Sequence, residues 1–444
     1  MKVKIQQGKE EINSIGGISL IGGLLNSLKN LNKADNMRMK NVKTGKIKHS
    51  GILKSMVGLF ALGKTDYADV EPFRNDTFFS DSLNLNIVPS ESTLRQRCDD
   101  LGQVWEISNM ALASNIELLK QVSNFGVEKT DYAEYIPFDA DVSPQDNSGS
   151  HKEGVSWTYK GHDGYAPMLA YLGTHGYMLN CEQRPGSQHS NKGAFEFFTE
   201  CFDAIDKLGL SNTLFRLDSA HDDANIIEEC QRRKKHFLIK RNLRKESREQ
   251  WLALARRVGT CETPREGKNR YVGVASHMKP AGREDLGPIF AVFEVIERTI
   301  KADGQELLLP EIEVNTWWTN LSEEPETVIR LYHNHGTSEQ FHSELKSDLG
   351  LERMPSGKFA TNSLLLLLGL LAFNILRIIG QGGLALKKFL PRKFNVQRRR
   401  LRSVMQDLIY IACKRTRHSG SIFLKFGRHC SWFKVFRQLH AMYC

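Results

Sequence analysis

The chain has 444 residues, of which 40% are hydrophobic and 25% charged, and its formal net charge is +10. This length can bury an ample core and predicts two to four structural units of roughly 150 residues each. The composition is that of a soluble globular protein and argues against a low-complexity or fibrous chain. Eight scattered cysteines with no CxxC pair argue against a zinc knuckle or a disulfide framework, so we expect reduced thiols.

The apolar run from Ser363 to Leu376 is the only candidate for a membrane-spanning segment. It is shorter than the roughly 18 to 20 apolar residues that cross a bilayer, and it contains Asn374. The first residues of the chain are polar, which argues against a secretory signal. We therefore predict a buried helix here, no membrane partner and a cytoplasmic location.

Positive charge is concentrated at the two ends of the chain. Residues 381–444 contain 15 Lys or Arg against one acid, and residues 1–54 contain 11 against three. The local net charges are therefore +14 and +8, which leaves −12 for the middle. Basic ends around an acidic middle are expected when the ends hold a polyanion and the middle holds metal ions. A solvated face or a lipid-binding tail is the alternative, but interleaved aromatic residues favour a folded surface.

Residues 1–128 are predicted to form a helical N-terminal DNA-binding region. Within it, Ser90 is a plausible N-cap for a helix that carries Arg95 and Arg97 one turn later. This helix could read DNA through its two arginines. An ordinary capped surface helix explains the same pattern equally well.

Residues 129–243 alternate strands and helices. Strands are predicted at 135–142, 166–172, 177–183, 213–217 and 236–240, and helices at 193–208 and 224–234. Three strands in a meander followed by helix, strand, helix and strand is the order of a ribonuclease-H-like α/β fold. Other α/β folds also begin with alternating units. We predict a ribonuclease-H-like mixed sheet flanked by helices, with this region as the first part of its core.

Residues 244–318 are predicted to be a β-rich insertion, with a helix at 246–257 and strands at 270–276, 289–299 and 307–319. Trp317 and Trp318 could stack on a displaced base, although packing in a small core is the favoured interpretation. Residues 319–380 would complete the core, and residues 381–444 would form a basic helical C-terminal region.

A stripe of polar residues occupies one face of the helix predicted from residue 331 to 348. Its members follow one another at steps of three and four, and they are Tyr332, His335, Glu339, His342 and Lys346. Such a stripe is usually a solvated surface. The apolar segment that follows indicates instead that this helix is embedded in a core, with a lone carboxylate at its centre.

Three further carboxylates lie near strand ends. Asp139 and Asp141 point to the same side of the first strand of the predicted core, and Asp218 ends the fourth. A buried acid is costly unless it is paired, protonated or bound to a metal.

The spacing of Tyr332, His335, Glu339 and Lys346 resembles the Tyr-x2-Arg-x3-Glu-x6-Lys signature of bacterial insertion-sequence DDE transposases, the transposase DDE domain group 1. His335 stands where that family usually has Arg. Asp141-Val142-Ser143 is similar to the family's Asp-x-Ser/Thr motif, and Asp218 is similar to the second acid, which follows an Arg-x pair.

The resemblance implies that Asp141, Asp218 and Glu339 are the catalytic residues and hold two Mg²⁺ ions, for which Mn²⁺ would substitute. Asp139 is the alternative to Asp141. His335 and Lys346 would contact DNA phosphates and Tyr332 would hydrogen-bond another. Arg216 would either contact a phosphate as well or neutralise Asp218.

The implied function is metal-dependent cleavage and strand transfer at the terminal inverted repeats of an insertion sequence. The partners would be double-stranded DNA and a second copy of the chain in a synaptic complex, at the bacterial nucleoid. A ribonuclease-H-like nuclease without strand transfer and a non-catalytic DNA-binding protein descended from a transposase remain alternatives. Zinc binding by His333, His335 and His342 is possible by spacing, but no thiolate is near and the central Glu would be unexplained.

Overall fold

The structure is a computed structural model that describes residues 3–8, 10–37, 46–276, 278–280 and 282–444. Five of the N-terminal basic residues lie outside these ranges, namely Lys2, Lys9, Arg38, Lys40 and Lys43. The helices are α1 (Ile18–Asn26), α2 (Lys29–Asn32), α3 (His49–Ala61), α4 (Thr77–Ser82), α5 (Glu91–Gly102), α6 (Trp105–Leu119), α7 (Ala194–Leu208), α8 (Ala224–Arg232), α9 (Arg248–Val258), α10 (Pro325–His333), α11 (Ser338–Ser343), α12 (Phe359–Ala385), α13 (Leu401–Val404) and α14 (Phe433–Tyr443).

The strands form three sheets in the described part of the chain. They are β1 (Ile12–Asn13), β2 (Glu128–Lys129), β3 (Glu134–Val142), β4 (Gln145–Asp146), β5 (Ser156–Trp157), β6 (Asp163–Tyr165), β7 (Met168–Leu172), β8 (Tyr177–Glu182), β9 (Thr213–Leu217), β10 (His236–Lys240), β11 (Thr260–Arg265), β12 (Lys268–Ala275), β13 (Phe290–Ile300), β14 (Glu306–Thr319), β15 (Cys413–His418) and β16 (Ser421–Phe426).

A large mixed sheet carries the candidate carboxylates. Strands β3, β7 and β8 form an antiparallel meander, β9 is parallel to β3, and β10 is parallel to β9. The order across this part of the sheet is therefore β8, β7, β3, β9, β10. The predicted succession of three meander strands, helix, strand, helix and strand is confirmed. The fold is α/β, with helices packed on the sheet.

The strands of the predicted insertion extend the same sheet. Strand β14 pairs antiparallel with β10, and β13, β12 and β11 follow in order. Strand β11 was not predicted, because its polar and exposed residues carry no alternating apolar pattern. Trp317 and Trp318 are only 1% and 3% exposed, which confirms the core interpretation and leaves no room for base stacking.

The prediction of a helical C-terminal region is wrong for residues 413–426. They form the hairpin β15–β16, and β15 also pairs with β1 from the other end of the chain. The hairpin turns at Ser419 and Gly420, whose φ angles of 50° and 77° are typical of a tight two-residue β-turn. A Ser-Gly pair between alternating residues was the sequence signal for this hairpin.

Helix α12 is the central helix of the hydrophobic core. It is long and apolar enough to cross a membrane, but 94% of its apolar window is buried inside the protein. The cluster around it includes residues from the N-terminal helices, the meander strands and the C-terminal region. The buried helix predicted here is confirmed, and all five predicted regions contribute residues to this core.

Asn374 connects this helix to its neighbours. Its amide nitrogen donates to Asn115 Oδ1 and to the Met178 carbonyl, both at 2.7 Å, and its Oδ1 accepts from the Met178 N–H at 2.9 Å. All three residues are buried. The only polar side chain in the middle of the apolar run is therefore fully used to join α12 to β8 and α6.

We expect Asn374→Leu to lower the free energy of unfolding by about 2–4 kcal/mol, because it leaves the buried Met178 N–H and the buried Asn115 Oδ1 without partners. Urea unfolding followed by circular dichroism measures this loss. Asn109→Leu is the matched control, since Asn109 is exposed on α6 and makes no hydrogen bond among the described residues. Equal stability of the two variants would contradict the assignment.

Candidate functional site

Asp141 and Asp218 lie together at one edge of the sheet. Asp141 is near the end of β3, and Asp218 directly follows β9, the neighbouring parallel strand. Because adjacent parallel strands end at the same edge, their terminal side chains meet there. Burial and the negative charge of Asp218 raise the pKa of Asp141 to about 6. The two carboxylates are therefore close enough to repel each other.

Asp139 has a different environment, although it is only two residues from Asp141. It is 2% exposed, accepts two hydrogen bonds from Arg216 at 2.7 and 2.6 Å, and lies 2.9 Å from His335 Nδ1. Burial alone would raise the pKa of Asp139, but the two cations outweigh it and hold that pKa below its usual value. Its oxygens are occupied by these partners, so the structure favours Asp141 over Asp139 as a metal ligand.

Arg216 does not have either of its predicted roles. It is buried, and besides Asp139 it donates to Glu128 at 3.1 Å and to the Leu331 carbonyl at 2.9 Å. The register of β3 and β9 places Arg216 directly opposite Asp139. The guanidinium therefore neutralises Asp139 and not Asp218, and its burial excludes a phosphate contact.

His335 contacts Asp139 and Tyr332 within the protein. Its Nδ1 faces Asp139, and its ring stacks on Tyr332 with the centroids 6.1 Å apart. Burial lowers the pKa of His335, but the charge of Asp139 outweighs burial and the pKa lies above its ordinary value. The prediction that His335 binds a phosphate is not supported, because its cationic face is directed at Asp139.

Tyr332 and Lys346 border the pair of carboxylates. Burial and the charges of Asp218 and Asp141 raise the pKa of the Tyr332 phenol, which therefore stays protonated. Lys346 donates to the Pro144 carbonyl, and burial lowers its pKa against the opposing influence of nearby acids that include Asp141. Each residue carries a hydrogen-bond donor, and the phosphate contacts expected of them from the sequence stay a prediction.

Glu339 lies outside this group. It is exposed and lines a cavity of about 670 Å³ together with Thr174, Gln340, Val396 and Arg398. Among the described residues no three His, Cys, Asp or Glu side chains form a group that could hold a metal ion. The structure therefore brings two of the three predicted ligands together and leaves the third at the surface.

The helix that was predicted to carry one continuous polar face is interrupted. Helix α10 is followed by a 3-10 segment, Asn334–Thr337, then by α11 and a π-helical turn, Glu344–Asp348. Each interruption changes the number of residues per turn and so rotates the side chains that follow. Glu339 therefore does not lie on the helix face that a regular spacing of three and four residues predicts.

His221 was missed by the sequence reasoning. Its Nε2 is 3.8 Å from Asp218 Oδ1, and neither ring nitrogen has a hydrogen-bond partner in the part of the chain that the structure describes. Burial lowers the pKa of His221 to about 4, so the ring is neutral at physiological pH. Its position three residues after Asp218 was the available signal.

The chemistry of the donor set fits a divalent cation. Asp141 and Asp218 supply hard carboxylate oxygens, which Mg²⁺ prefers, and their mutual repulsion favours a bound positive charge. Asp139 is already paired with Arg216 and His335 and so does not compete for a metal ion. Asp141 and Asp218 are therefore chemically suited to be two of the ligands of the predicted metal site.

The two N-terminal arginines differ in their surroundings. Ser90 caps α5 through the Thr93 N–H at 3.3 Å, as predicted. Arg97 donates to the Ile47 carbonyl at 3.3 Å and lies 2.8 Å from His49, so its predicted contact with DNA is not supported. Arg95 is exposed and pairs with Glu91 on its own helix.

We expect His335→Gln to cost more stability at pH 6 than at pH 9. A histidine whose pKa is raised by folding stabilises the protein fully below its unfolded pKa of about 6.5 and loses this effect as the pH rises through the raised value. Asp139 and Asp141 face the ring and favour its charge, whereas Arg216 opposes it. Urea unfolding of both proteins from pH 6 to pH 9 measures the difference.

His151→Gln is the control, because His151 is exposed and has no carboxylate partner among the described residues. Its effect on stability should not vary with pH. A pH-independent effect of His335→Gln would show that the ring does not titrate against Asp139.

No curated protein matches the chain. Among solved structures it is similar to a piggyBac transposase in the cryo-EM structure of its synaptic complex with hairpin DNA, with 10% sequence identity, a TM-score of 0.43, and coverage of 89% of this chain and 78% of that chain. The family model of the transposase DDE domain group 1 matches residues 1–443. The chain therefore belongs to the DDE transposase family, group 1.

Proposed function

We propose that the protein cleaves the terminal inverted repeats of a bacterial insertion sequence and joins the 3′ ends to target DNA. The observation that carries this proposal is the pair Asp141 and Asp218 at the edge of the sheet, in a chain that belongs to a DDE transposase family. The strand order β8, β7, β3, β9, β10 supports a ribonuclease-H-like core.

The carboxylates Asp141, Asp218 and Glu339 would hold divalent ions, proposed as two Mg²⁺ with Mn²⁺ as a substitute. Such ions would activate the attacking oxygen and stabilise charge on the phosphate and the leaving oxygen. In cleavage, a water oxygen attacks the phosphorus and the P–O3′ bond breaks. In strand transfer, the freed 3′ oxygen attacks a target phosphodiester and displaces another 3′ oxygen.

The side chains around the acids would bind and orient the DNA. Lys346 and Tyr332 each have a donor beside the carboxylate pair and would hold the phosphate that reacts. His221 is neutral and buried 3.8 Å from Asp218, where it would pack against that carboxylate. Glu339 would approach the pair when DNA and metal bind, and the irregular segments on both sides of α11 favour such a rearrangement.

A groove beside the cavity of Glu339 provides a path for DNA. It has a volume of about 1060 Å³, its lining includes Lys387, Arg392 and Lys393, and it shares Val396 and Gln397 with the cavity that Glu339 lines. The three basic residues are exposed and make no ion pair among the described residues. Phosphates of the element end would lie along this groove, with Arg95 as a further contact. A homodimer would pair the two ends on the bacterial nucleoid.

We expect Asp141→Ala, Asp218→Ala and Glu339→Ala each to reduce cleavage about a hundredfold or more, because each removes a metal ligand and with it several kcal/mol of transition-state stabilisation. Binding to DNA should change little. The measurement is cleavage and joining of a labelled duplex that carries the genomic sequence flanking the gene, with Mg²⁺ present.

Asp223→Asn is the matched control, since Asp223 caps α8 close to the site and Asn can also cap. It should retain activity. Cleavage without joining would favour the nuclease alternative, and full activity of Asp141→Ala would refute the proposed site.

The combined substitution of Lys387, Lys388, Arg392 and Lys393 by Ala should weaken DNA binding and flatten its salt dependence. Each lost phosphate contact reduces the logarithmic salt slope by about 0.9 for duplex DNA. Removing the whole C-terminal region is unsuitable, because Leu401, Val404 and Trp432 are part of the core. Substitution of the exposed Lys207 and Lys301 is the control, and an equal effect there would show that the groove is not a specific DNA surface.

A further inference from the structure

A short hairpin projects beside the carboxylate pair and has no role in the site described so far. Strands β5 and β6 enclose the turn Thr158–His162, and β6 also pairs with β4. The Thr158 N–H donates to the His162 carbonyl at 2.9 Å, and the Gly161 N–H donates to the Thr158 carbonyl at 3.0 Å. Gly161 has a φ of 81°, as a tight turn of this kind requires.

The base of the hairpin is fixed to the core. Tyr165 is buried and donates to the Glu153 carbonyl at 2.8 Å, and Gln145 on the neighbouring strand β4 donates to the Leu351 carbonyl at 2.9 Å. Ser156 forms hydrogen bonds with Ser187, on the face of β5 opposite to Trp157. Since successive side chains of a strand point to opposite faces, Trp157 points outward.

The tip of this hairpin combines two exposed aromatic rings and a lysine. Trp157 is 64% exposed and Tyr159 is 63% exposed, although both are large hydrophobic side chains. Lys160 is exposed, and its ammonium lies 5.6 Å from the centre of the Tyr159 ring. Exposed aromatic rings beside a cation are the chemistry that binds single-stranded nucleic acid, because every base offers a face for stacking.

The tip is directly beside the candidate active site. The Tyr159 hydroxyl donates to the Val142 carbonyl at 3.0 Å, and Val142 follows Asp141 in β3. Burial and then the charges of Asp141 and Asp218 raise the pKa of Tyr159 to about 12. The charge of Lys160 lowers the pKa of both Asp141 and Lys346, although it is not the main cause for either. Lys160 and Lys346 are therefore both near enough to Asp141 to attract a phosphate bound at the carboxylate pair.

We propose that Trp157 and Tyr159 form a stacking platform for unpaired bases next to the scissile phosphate, and that Lys160 binds the adjoining phosphate. This inference rests on the proposed function, because it places the reacting phosphate at Asp141 and Asp218. The Tyr159 hydroxyl contacts the residue that follows Asp141, so the tip is within reach of the nucleotides next to that phosphate. The two tryptophans that were first considered for stacking are buried, whereas Trp157 is open to solvent.

The test uses the full chain and a fluorescein-labelled (dT)15 strand with one 5-iododeoxyuridine. Trp157→Ala should weaken binding of this strand about tenfold, as expected for loss of one stacked base, and should remove the photocrosslink that maps to the hairpin tip. Trp157→Phe should retain both, because it keeps an aromatic face. Lys160→Ala should reduce the salt slope by about 0.7, the value for one phosphate of a single strand.

Trp105→Ala is the matched control for Trp157→Ala, because Trp105 is 69% exposed but lies on α6, in the N-terminal region. Tyr132→Ala is a second control, since Tyr132 is an exposed aromatic residue that precedes the other end of β3. Neither control should alter the crosslink or the affinity. The hairpin variants should fold, because the substituted side chains are mostly exposed.

A crosslink elsewhere, or unchanged affinity of Trp157→Ala, would overturn the inference. So would a change in oligomeric state on Trp157→Ala with no change in DNA affinity, which would identify the tip as a protein contact. Asp141→Ala should retain the crosslink. Failure of the proposed function would appear as full cleavage by Asp141→Ala, which is independent of the outcome at the hairpin.

Discussion

The buried ion pair of Arg216 and Asp139 is the interaction on which the candidate site depends. It joins β9 to β3 directly, and through Glu128 and the Leu331 carbonyl it also joins β2 and α10. Both side chains are nearly inaccessible, so loss of either would leave an uncompensated buried charge that costs about 3–5 kcal/mol. The pair fixes the register in which Asp141 meets Asp218, and it fixes the end of the helix that carries Tyr332.

This arrangement separates two carboxylates of one strand into opposite roles. Asp139 receives the cations Arg216 and His335, which hold its pKa low, whereas Asp141 receives the repulsion of Asp218, which together with burial raises its pKa. Arg216 and His335 thus pair with Asp139, two residues before Asp141 in β3. Asp141 and Asp218 at the edge of the sheet are left without a neutralising cation of this kind. A metal ion bound there would supply the missing positive charge.

The sequence predicts the parts of this structure that depend on local pattern. Alternating apolar residues located β3, β7, β8, β9 and β10 within about two residues, and the acids at their ends followed from strand alternation. The partner of Arg216 could not be predicted, because it depends on the register between strands that are distant in the chain. The interruption of the helix around Glu339 depends likewise on tertiary contacts. Phe341 packs against Tyr171 of the sheet, and the buried Glu344 is bound by Arg377 of α12.

Part of the positive charge of the C-terminal region is not available to DNA, because several of its arginines form ion pairs with acids of the protein. Glu344 and Asp348, both buried in the π-helical turn, bind Arg398 and Arg400 of that region, and the Leu401 N–H donates to Glu344 at 2.9 Å. Arg398 also reaches Gln340, the neighbour of Glu339, at 2.8 Å. Residues 387–393 of the C-terminal region therefore carry exposed cations. A few residues later, Arg398 contacts α11, the helix that carries Glu339. Because these contacts are ionic and their acids are buried, a displacement of the segment by DNA would act on the position of Glu339. DNA binding in the groove and completion of the acid trio would then be one event, which would confine cleavage to the bound complex.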